Sequence, residues 1–380
     1  MKWSIPIGRV LGIRIGIHIT FFLIIAWIGW VGWTIGGPES SLWAVAMICL
    51  LFICVILHEL GHSVVALRYG VEVRSITLLP IGGVASMKSM PEEPRQELMI
   101  AVAGPLVNVL ILAVLIPLKG FPSWLDMPII PTTLPEMVDT MIRANIILVV
   151  FNMIPAFPMD GGRVLRALLA MFFSYTTATA WASGVGRVVA VLFVALGLYA
   201  PHPFLVLIGV FVFIGAESEA RMVRVKDVLK NVPVSVLMRR DVPMVDGTDA
   251  LRTCLERYHD SGYIDFLVEE EGEVRGILPA DVWMEAVKKY GPDEPVGHHV
   301  VRRYISFQPD APLDRIIQDA WGMKQEVFPV MQDGRLLGML ILADVSAYIA
   351  RRTGEAGQTH PAERAEAPAP RPSRFSVDLG

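Results

Sequence analysis

Ile56-Leu57-His58-Glu59-Leu60-Gly61-His62 sets a His-Glu-x-x-His cluster inside a run that is otherwise apolar. Leu42 to Leu57 carries no charge, and Val64 to Leu67 continues the apolar run beyond the cluster. Such a stretch reads as a membrane span. On a helix, His58 and His62 are four residues apart and share a face. Two imidazoles so placed can share one zinc ion, with Glu59 beside them as general base. Ionisable groups at membrane depth are costly, which marks them as functional.

The rest of the chain divides into two compositions. Over all 380 residues it is 53% hydrophobic and 18% charged. Up to about Ala220 it is a series of apolar runs. From Lys226 onward it reads as ordinary soluble protein, with Glu269, Glu270, Glu271 and Glu273 close together. A net charge of −4 and the lack of a basic cluster give no reason to expect nucleic acid as a partner. Cys49, Cys54 and Cys254 make no disulfide framework. Cys54 lies one turn before His58; a fourth ligand is conceivable there, and packing is the simpler reading. The N-terminus shows no small-residue cleavage site, and Ile15 to Ile35 is long enough to span.

Six spans are expected, at about 16–35, 42–67, 97–118, 137–158, 179–200 and 202–219. Lys2, Arg9, Arg14, Arg68, Arg74, Lys88, Arg95, Arg163, Arg166, Arg221, Arg224 and Lys226 fall on one side, and Lys119 on the other. The positive-inside rule then puts both termini and the soluble part in the cytoplasm, in a multi-pass protein of the plasma or inner membrane. Arg187, deep in the fifth span, is expected to snorkel.

That topology places His62 about 9 Å and His58 about 15 Å from the inner end of the second span, at 1.5 Å per residue. A catalytic zinc site wants a third protein ligand at the same depth. The fourth span ends in Asn152-Met153-Ile154-Pro155-Ala156-Phe157-Pro158-Met159-Asp160-Gly161-Gly162-Arg163. Its prolines interrupt helical bonding and the glycine pair frees the backbone, so Asp160 can turn inward. The alternative is an interfacial carboxylate paired with Arg163 or Arg166. Early in the third span, Gly104 permits close helix approach and Asn108 offers an amide, with structural packing as the equal alternative. Val71 to Met87 alternates around Pro80-Ile81-Gly82-Gly83 and reads as a hairpin whose edge could take an extended substrate.

These four motifs, in their order along the chain (His58 to His62, Gly82-Gly83, Gly104-Pro105 with Asn108, Asn152 to Gly162), resemble the site-2 protease family of intramembrane zinc metalloproteases, across the whole apolar half. The resemblance implies zinc held by His58, His62 and Asp160, with Glu59 as catalytic base. It implies that Asn152 holds the substrate backbone or the oxyanion, with Gly82, Gly83 and Asn108 among the substrate-facing positions. A three-helix core would map onto spans two, three and four, with the other spans as a gate. The substrate would be a membrane-protein segment that unwinds locally before cleavage.

Residues 227–350 hold a diffuse repeat of about sixty residues. Met244 to Val245, Ala250 to Tyr258, Phe266 to Val268, Val274 to Leu278 and Asp281 answer to Ile305 to Phe307, Leu313 to Trp321, Phe328 to Met331, Leu336 to Leu342 and Asp344. This resembles a tandem pair of CBS domains, modules that commonly bind adenine nucleotides and regulate an attached membrane protein. Asp344 is the best remaining ribose contact, because Ile341 and Pro279 stand where the family usually has a hydroxyl residue. Dimerisation, including a homodimer through this pair, or substrate docking is an equal reading. His259, His298 and His299 read as solvated. The expected fold is therefore a polytopic α-helical membrane protein followed by a soluble α/β CBS pair. Its domains are 1–225, 226–290 and 291–351, with a disordered tail at 352–380. A CBS-regulated channel or transporter is the rival class, and a catalytically silent family scaffold the third. Neither matching halves with broken helices nor a missing catalytic residue speaks for them.

Overall fold

The two compositions become two units, Met1–Val223 and Arg224–Gly380, in the computed structural model. It describes residues 4–80, 82–87, 90–122, 130–261, 264–323 and 325–354. The tail expected to be disordered lies almost wholly outside the described residues.

Helix α1 (Thr20–Arg68) has 49 residues and non-helical dihedrals at Gly36 and Gly37, just before Pro38. The chain reverses there, with Gly37 at a left-handed φ of 74°. Ser41 Oγ donates to Gly29 O at 2.7 Å, although on a straight helix these residues would be about 18 Å apart. Phe21 and Phe52 meet edge to face at 4.5 Å. The element is thus an antiparallel hairpin of two legs, 20–35 and 38–68, and the second leg carries the His-Glu-x-x-His cluster.

The first leg starts at Thr20, so the expected span from 16 is corrected. Strands β1 (Ser4–Val10) and β2 (Ile13–His18) precede it. They join through Leu11 and Gly12, both at positive φ, the backbone a two-residue hairpin turn requires. Strand β2 pairs in parallel with β3 (Val73–Leu79), and β3 pairs antiparallel with β4 (Gly82–Met87). The sheet order is β1-β2-β3-β4. Its inner face buries Ile13, Val73 and Ile76 against Ala66 of α1 and Ile100 of the next helix.

That helix, α2 (Pro94–Lys119), starts at the side-chain cap of Glu93. Helix α3 (Leu134–Asn152) follows, then α4 (Asp160–Ala170), α5 (Tyr175–Tyr199) and α6 (Pro203–Leu229). Among the described residues, α1, α2, α5 and α6 are long and apolar enough to cross a membrane. The polar exception is α3, with Glu136, Asp139 and Arg143 in its first half. Lys119 pairs with Asp139 at 3.4 Å, joining the end of α2 to the start of α3. Arg187 of α5 pairs with Glu217 of α6 at 3.6 Å, so a partner, rather than snorkelling alone, accounts for it.

In the second unit, a short helix α7 (Val234–Leu237) leads into β5 (Met244–Asp246), α8 (Leu251–Ser261), β6 (Phe266–Glu270), β7 (Glu273–Leu278) and α9 (Ala280–Tyr290). The second copy has α10 (Leu313–Trp321), β8 (Val327–Gln332), β9 (Arg335–Ile341) and α11 (Leu342–Thr353). Phe307 bridges to Val330 in parallel, as β5 pairs with β6. The cores do not follow the expected boundary at 290/291. Leu229 and Val234 are buried among Leu313, Phe328 and Leu340 of the second copy. Val296 in turn completes the core of the first copy around Phe266 and Trp283. Each core is thus completed by a segment from outside its own repeat.

Candidate metal centre and active site

The second leg of α1 can approach α2 closely because position 61 is glycine. A Cβ there would lie 2.7 Å from Ala103 O. Gly104 does the same for the imidazole of His62, whose ring atoms fill the space a Cβ would take. His58 and His62 are buried by this crossing at 5% and 3% exposure.

Asp160 arrives from the other side as the first residue of α4. Helix α3 ends at Asn152, and the irregular stretch to Met159 carries the chain round. Gly161 and Gly162 prove to lie inside α4, which corrects their expected role. A Cβ at Gly162 would sit 2.6 Å from Phe157 N, and one at Gly161 would collide with the backbone of Met153 and Ile154. They are small so that α4 can fold back on the preceding loop, not to free the backbone.

The three donor atoms form a tight triangle. Asp160 Oδ2 lies 3.2 Å from His58 Nε2 and 3.1 Å from His62 Nε2. The two Nε2 atoms are 3.1 Å apart. His62 Nδ1 donates to Ile100 O at 2.7 Å, and His58 Nδ1 faces Asn108 Oδ1 at 2.6 Å. With both Nδ1 atoms protonated, each neutral ring points its lone pair at a carboxylate oxygen. Three lone pairs converging in a buried place repel one another unless a cation sits among them. Ligands about 2.0–2.1 Å from a tetrahedral zinc are roughly 3.3 Å apart, so the donor set and its spacing fit that ion. His58, His62 and Asp160 form the one group of this kind among the described residues.

Glu59 lies beside the triangle against β4. A Cβ on Gly83 would come 2.7 Å from Glu59 Cγ, so Gly83 leaves the carboxylate its room. Gly82, at a φ of 138°, opens the same edge strand. Asn152 sits on the last turn of α3, where its Nδ2 donates to Leu148 O at 3.0 Å; among the described residues no hydrogen bond joins it to the triangle. Asn108, expected among the substrate-facing positions, is fully buried. Its oxygen serves His58 and its Nδ2 donates to Asn145 Oδ1 at 2.7 Å, so it is a support of the histidine. Asn145 belongs to no motif read from the sequence. Cys54 is packed with Met137 and Met141, outside the triangle.

Of the two alternative partners of Asp160, Arg163 and Arg166, the second is engaged elsewhere. Arg166 is buried, and its Nε and Nη2 donate to Glu97 Oε1 at 2.8 and 2.5 Å. Its Nη1 donates to Glu219 Oε1 at 2.5 Å, and its guanidinium stacks on Phe157 and Tyr175.

Comparison with known proteins identifies the family. Zinc metalloprotease MJ0392 of Methanocaldococcus jannaschii is 39% identical over 279 residues, covering 73% of this chain and 78% of that protein. The chain belongs to peptidase family M50, the site-2 proteases. The M50 profile matches residues 46–125 and 126–196, and the CBS domain profile matches 223–287. The putative zinc metalloprotease Rip3 of Mycobacterium tuberculosis is 28% identical over 299 residues, covering 73% of this chain and 75% of that one. The solved site-2 protease from Methanocaldococcus jannaschii is 40% identical, covering 57% of this chain and 95% of its own, at a TM-score of 0.43. This M50 chain is accordingly a multi-pass membrane protein with a metalloprotease domain and a soluble CBS pair.

The CBS pair has a cleft of about 300 Å³ between its copies, lined by Ile264, Asp265, Pro279, Asp281, Gln325 and Glu326 among others. Three of these are carboxylates. Asp265 also accepts the first amide of α9, from Ala280, at 2.8 Å. Burial, with Glu326 and Asp281 nearby, pushes the Asp265 carboxyl above the usual carboxylate range. An anion would find the helix amide taken and the wall of like charge. Asp344, expected at a ribose, is held bidentately by Arg239 at 2.6 and 2.7 Å.

Proposed function

We propose that this protein is a zinc-dependent intramembrane endopeptidase. It cleaves transmembrane or signal-like segments of membrane proteins near the cytoplasmic face of the plasma or inner membrane. Both of its termini lie in the cytoplasm, as the distribution of Lys and Arg favours. The observation that carries the reading is the buried triangle of His58, His62 and Asp160, whose lone pairs converge beside Glu59.

His58, His62 and Asp160 hold the metal. When bound, zinc supplies Lewis-acid chemistry, acidifying water and polarising the scissile carbonyl. Glu59, whose carboxylate accepts no side-chain hydrogen bond among the described residues, takes the proton of the attacking water. It then returns that proton to the leaving amine. Edge strand β4, which starts at Gly82 and sets Gly83 against Glu59, receives the unwound substrate as an added strand. Asn152, one short loop before Asp160, holds the substrate backbone or the oxyanion after its bond to Leu148 is exchanged.

The CBS pair regulates or docks. Its three carboxylates weigh against a polyphosphate ligand and favour docking or self-association over adenine nucleotide binding. ATP and AMP at millimolar concentration should leave the melting of the second unit in full-length protein unmoved; a rise would restore the nucleotide reading. The main test compares membrane-protein terminal peptides from cells carrying wild type or Glu59→Gln. Termini inside apolar spans should vanish in the variant while its zinc content stays. Unchanged termini across several stress conditions would sink the proposal.

A further inference from the structure

Asn145 lies on α3, fully buried, and joins three helices to one metal ligand. Its Nδ2 donates to Met141 O at 2.8 Å and lies 3.4 Å from Cys54 Sγ on α1. Its Oδ1 accepts from Asn108 Nδ2 on α2 at 2.7 Å. Asn108 Oδ1 in turn faces His58 Nδ1 at 2.6 Å.

The direction of this chain follows from one end. A backbone carbonyl can only accept, so Asn145 must turn its amino group to Met141 O. Its oxygen then faces Asn108, which must answer with its amino group and present its own oxygen to His58. An oxygen there requires the imidazole proton on Nδ1. The lone pair is left on Nε2, the atom that faces His62 and Asp160. His62 needs no such relay, because its Nδ1 meets the carbonyl of Ile100 directly. His58 meets an amide that could offer either end, and an amide that flips would put the proton on the wrong nitrogen.

We infer that Asn145 is a positioning residue for the metal ligand His58: through Asn108 it fixes the tautomer and ring orientation that give the metal a lone pair. This rests on the reading of His58, His62 and Asp160 as zinc ligands. Groups that orient metal-bound histidines typically change metal affinity about 10- to 100-fold when removed.

The experiment measures zinc affinity of purified full-length protein by competition with a chromophoric chelator. Asn145→Leu should weaken zinc by about 10- to 100-fold. Adding Asn108→Asp to that variant should bring affinity back to within about threefold of wild type, because a carboxylate accepts through either oxygen and cannot be misoriented. A packing role gives no recovery. Unchanged affinity in Asn145→Leu, or a further loss in the double variant, would overturn the relay. Asn145→Ala is read in the same two backgrounds if leucine prevents recovery of monodisperse protein. Asp160→Ala, measured in parallel, separates the two levels. If it leaves zinc binding intact, the ligand set is wrong. If it abolishes binding while Asn145→Leu leaves zinc affinity unchanged, only the relay falls.

Discussion

Two polar clusters are buried in the membrane unit, and helix α4 contributes to both. At Arg166 the chain supplies its own cation, spread between Glu97 and Glu219 and stacked on two aromatic rings. At Asp160, six residues earlier on the same helix, a carboxylate oxygen and two imidazole nitrogens converge, with no Lys or Arg bonded to them among the described residues. Both arrangements are costly in apolar surroundings. The first is closed by the sequence itself, and the second is complete only with a cation from outside. Buried charge alone therefore does not mark a functional site; metal-ligating atoms from three residues converging within hydrogen-bond distance of one another do.

The comparison breaks most visibly at Arg166. Removing one partner of a buried ion pair leaves an uncompensated charge, at about 3–5 kcal/mol. Arg166→Met should lower the stability of the detergent-solubilised protein by that much, read as a fall in its thermal midpoint. Adding Glu97→Gln should recover part of the loss, since it removes the stranded carboxylate. A loss below about 1 kcal/mol would place the cluster with exposed pairs and erase the contrast with the metal centre.

The two clusters also differ in how much of each is legible in the sequence. His58, Glu59, His62 and Asp160 stand out because ionisable residues inside apolar runs are rare and their spacing has one chemical use. Glu97, Arg166 and Glu219 do not, because their partners are 69 and 53 residues apart and each alone looks like an interfacial charge. The roles of Gly61, Gly161 and Gly162 are likewise invisible, being set by what lies opposite; at Gly104 a close approach is legible, but not that the ring of His62 makes it. Asn145 had a signal that could have been used: an amide amid Ile142 to Phe151 asks for a buried partner. Strand β2 had one too, in the strict alternation of Ile13, Ile15 and Ile17, masked by the apolar run that continues to Ile35. The exchange of segments between the CBS cores follows from no local pattern, because repeat boundaries in sequence need not be packing boundaries.

The next largest effect should be at Gly104, where the metal centre can be disturbed without touching a charge. Gly104→Ala sets a methyl group where the ring of His62 now lies. His62 must turn, and its bond to Ile100 O is strained with it. Zinc affinity should fall by about tenfold or more, as for other losses of histidine support. Arg166→Met should act in the opposite proportion, on stability more than on metal. A chelator competition beside a thermal melt reads both. If Gly104→Ala lowered the melting midpoint and left zinc binding alone, the triangle would be ordinary packing.

The smallest effect sharpens the contrast from the exposed side. Asp344 and Arg239 form a bidentate pair, with side chains 27% and 46% exposed. Solvent screens such a pair, which sets its contribution at about 0–1 kcal/mol. Asp344→Asn should therefore shift the melting of the second unit by no more than that, about a quarter or less of the Arg166→Met loss, although the bonds are as short. It should leave zinc content and cleavage unchanged. A loss as large as at Arg166 would mean that the carboxylate carries more than its pair with Arg239. The second unit would then need rereading as a place where charge is buried for a purpose.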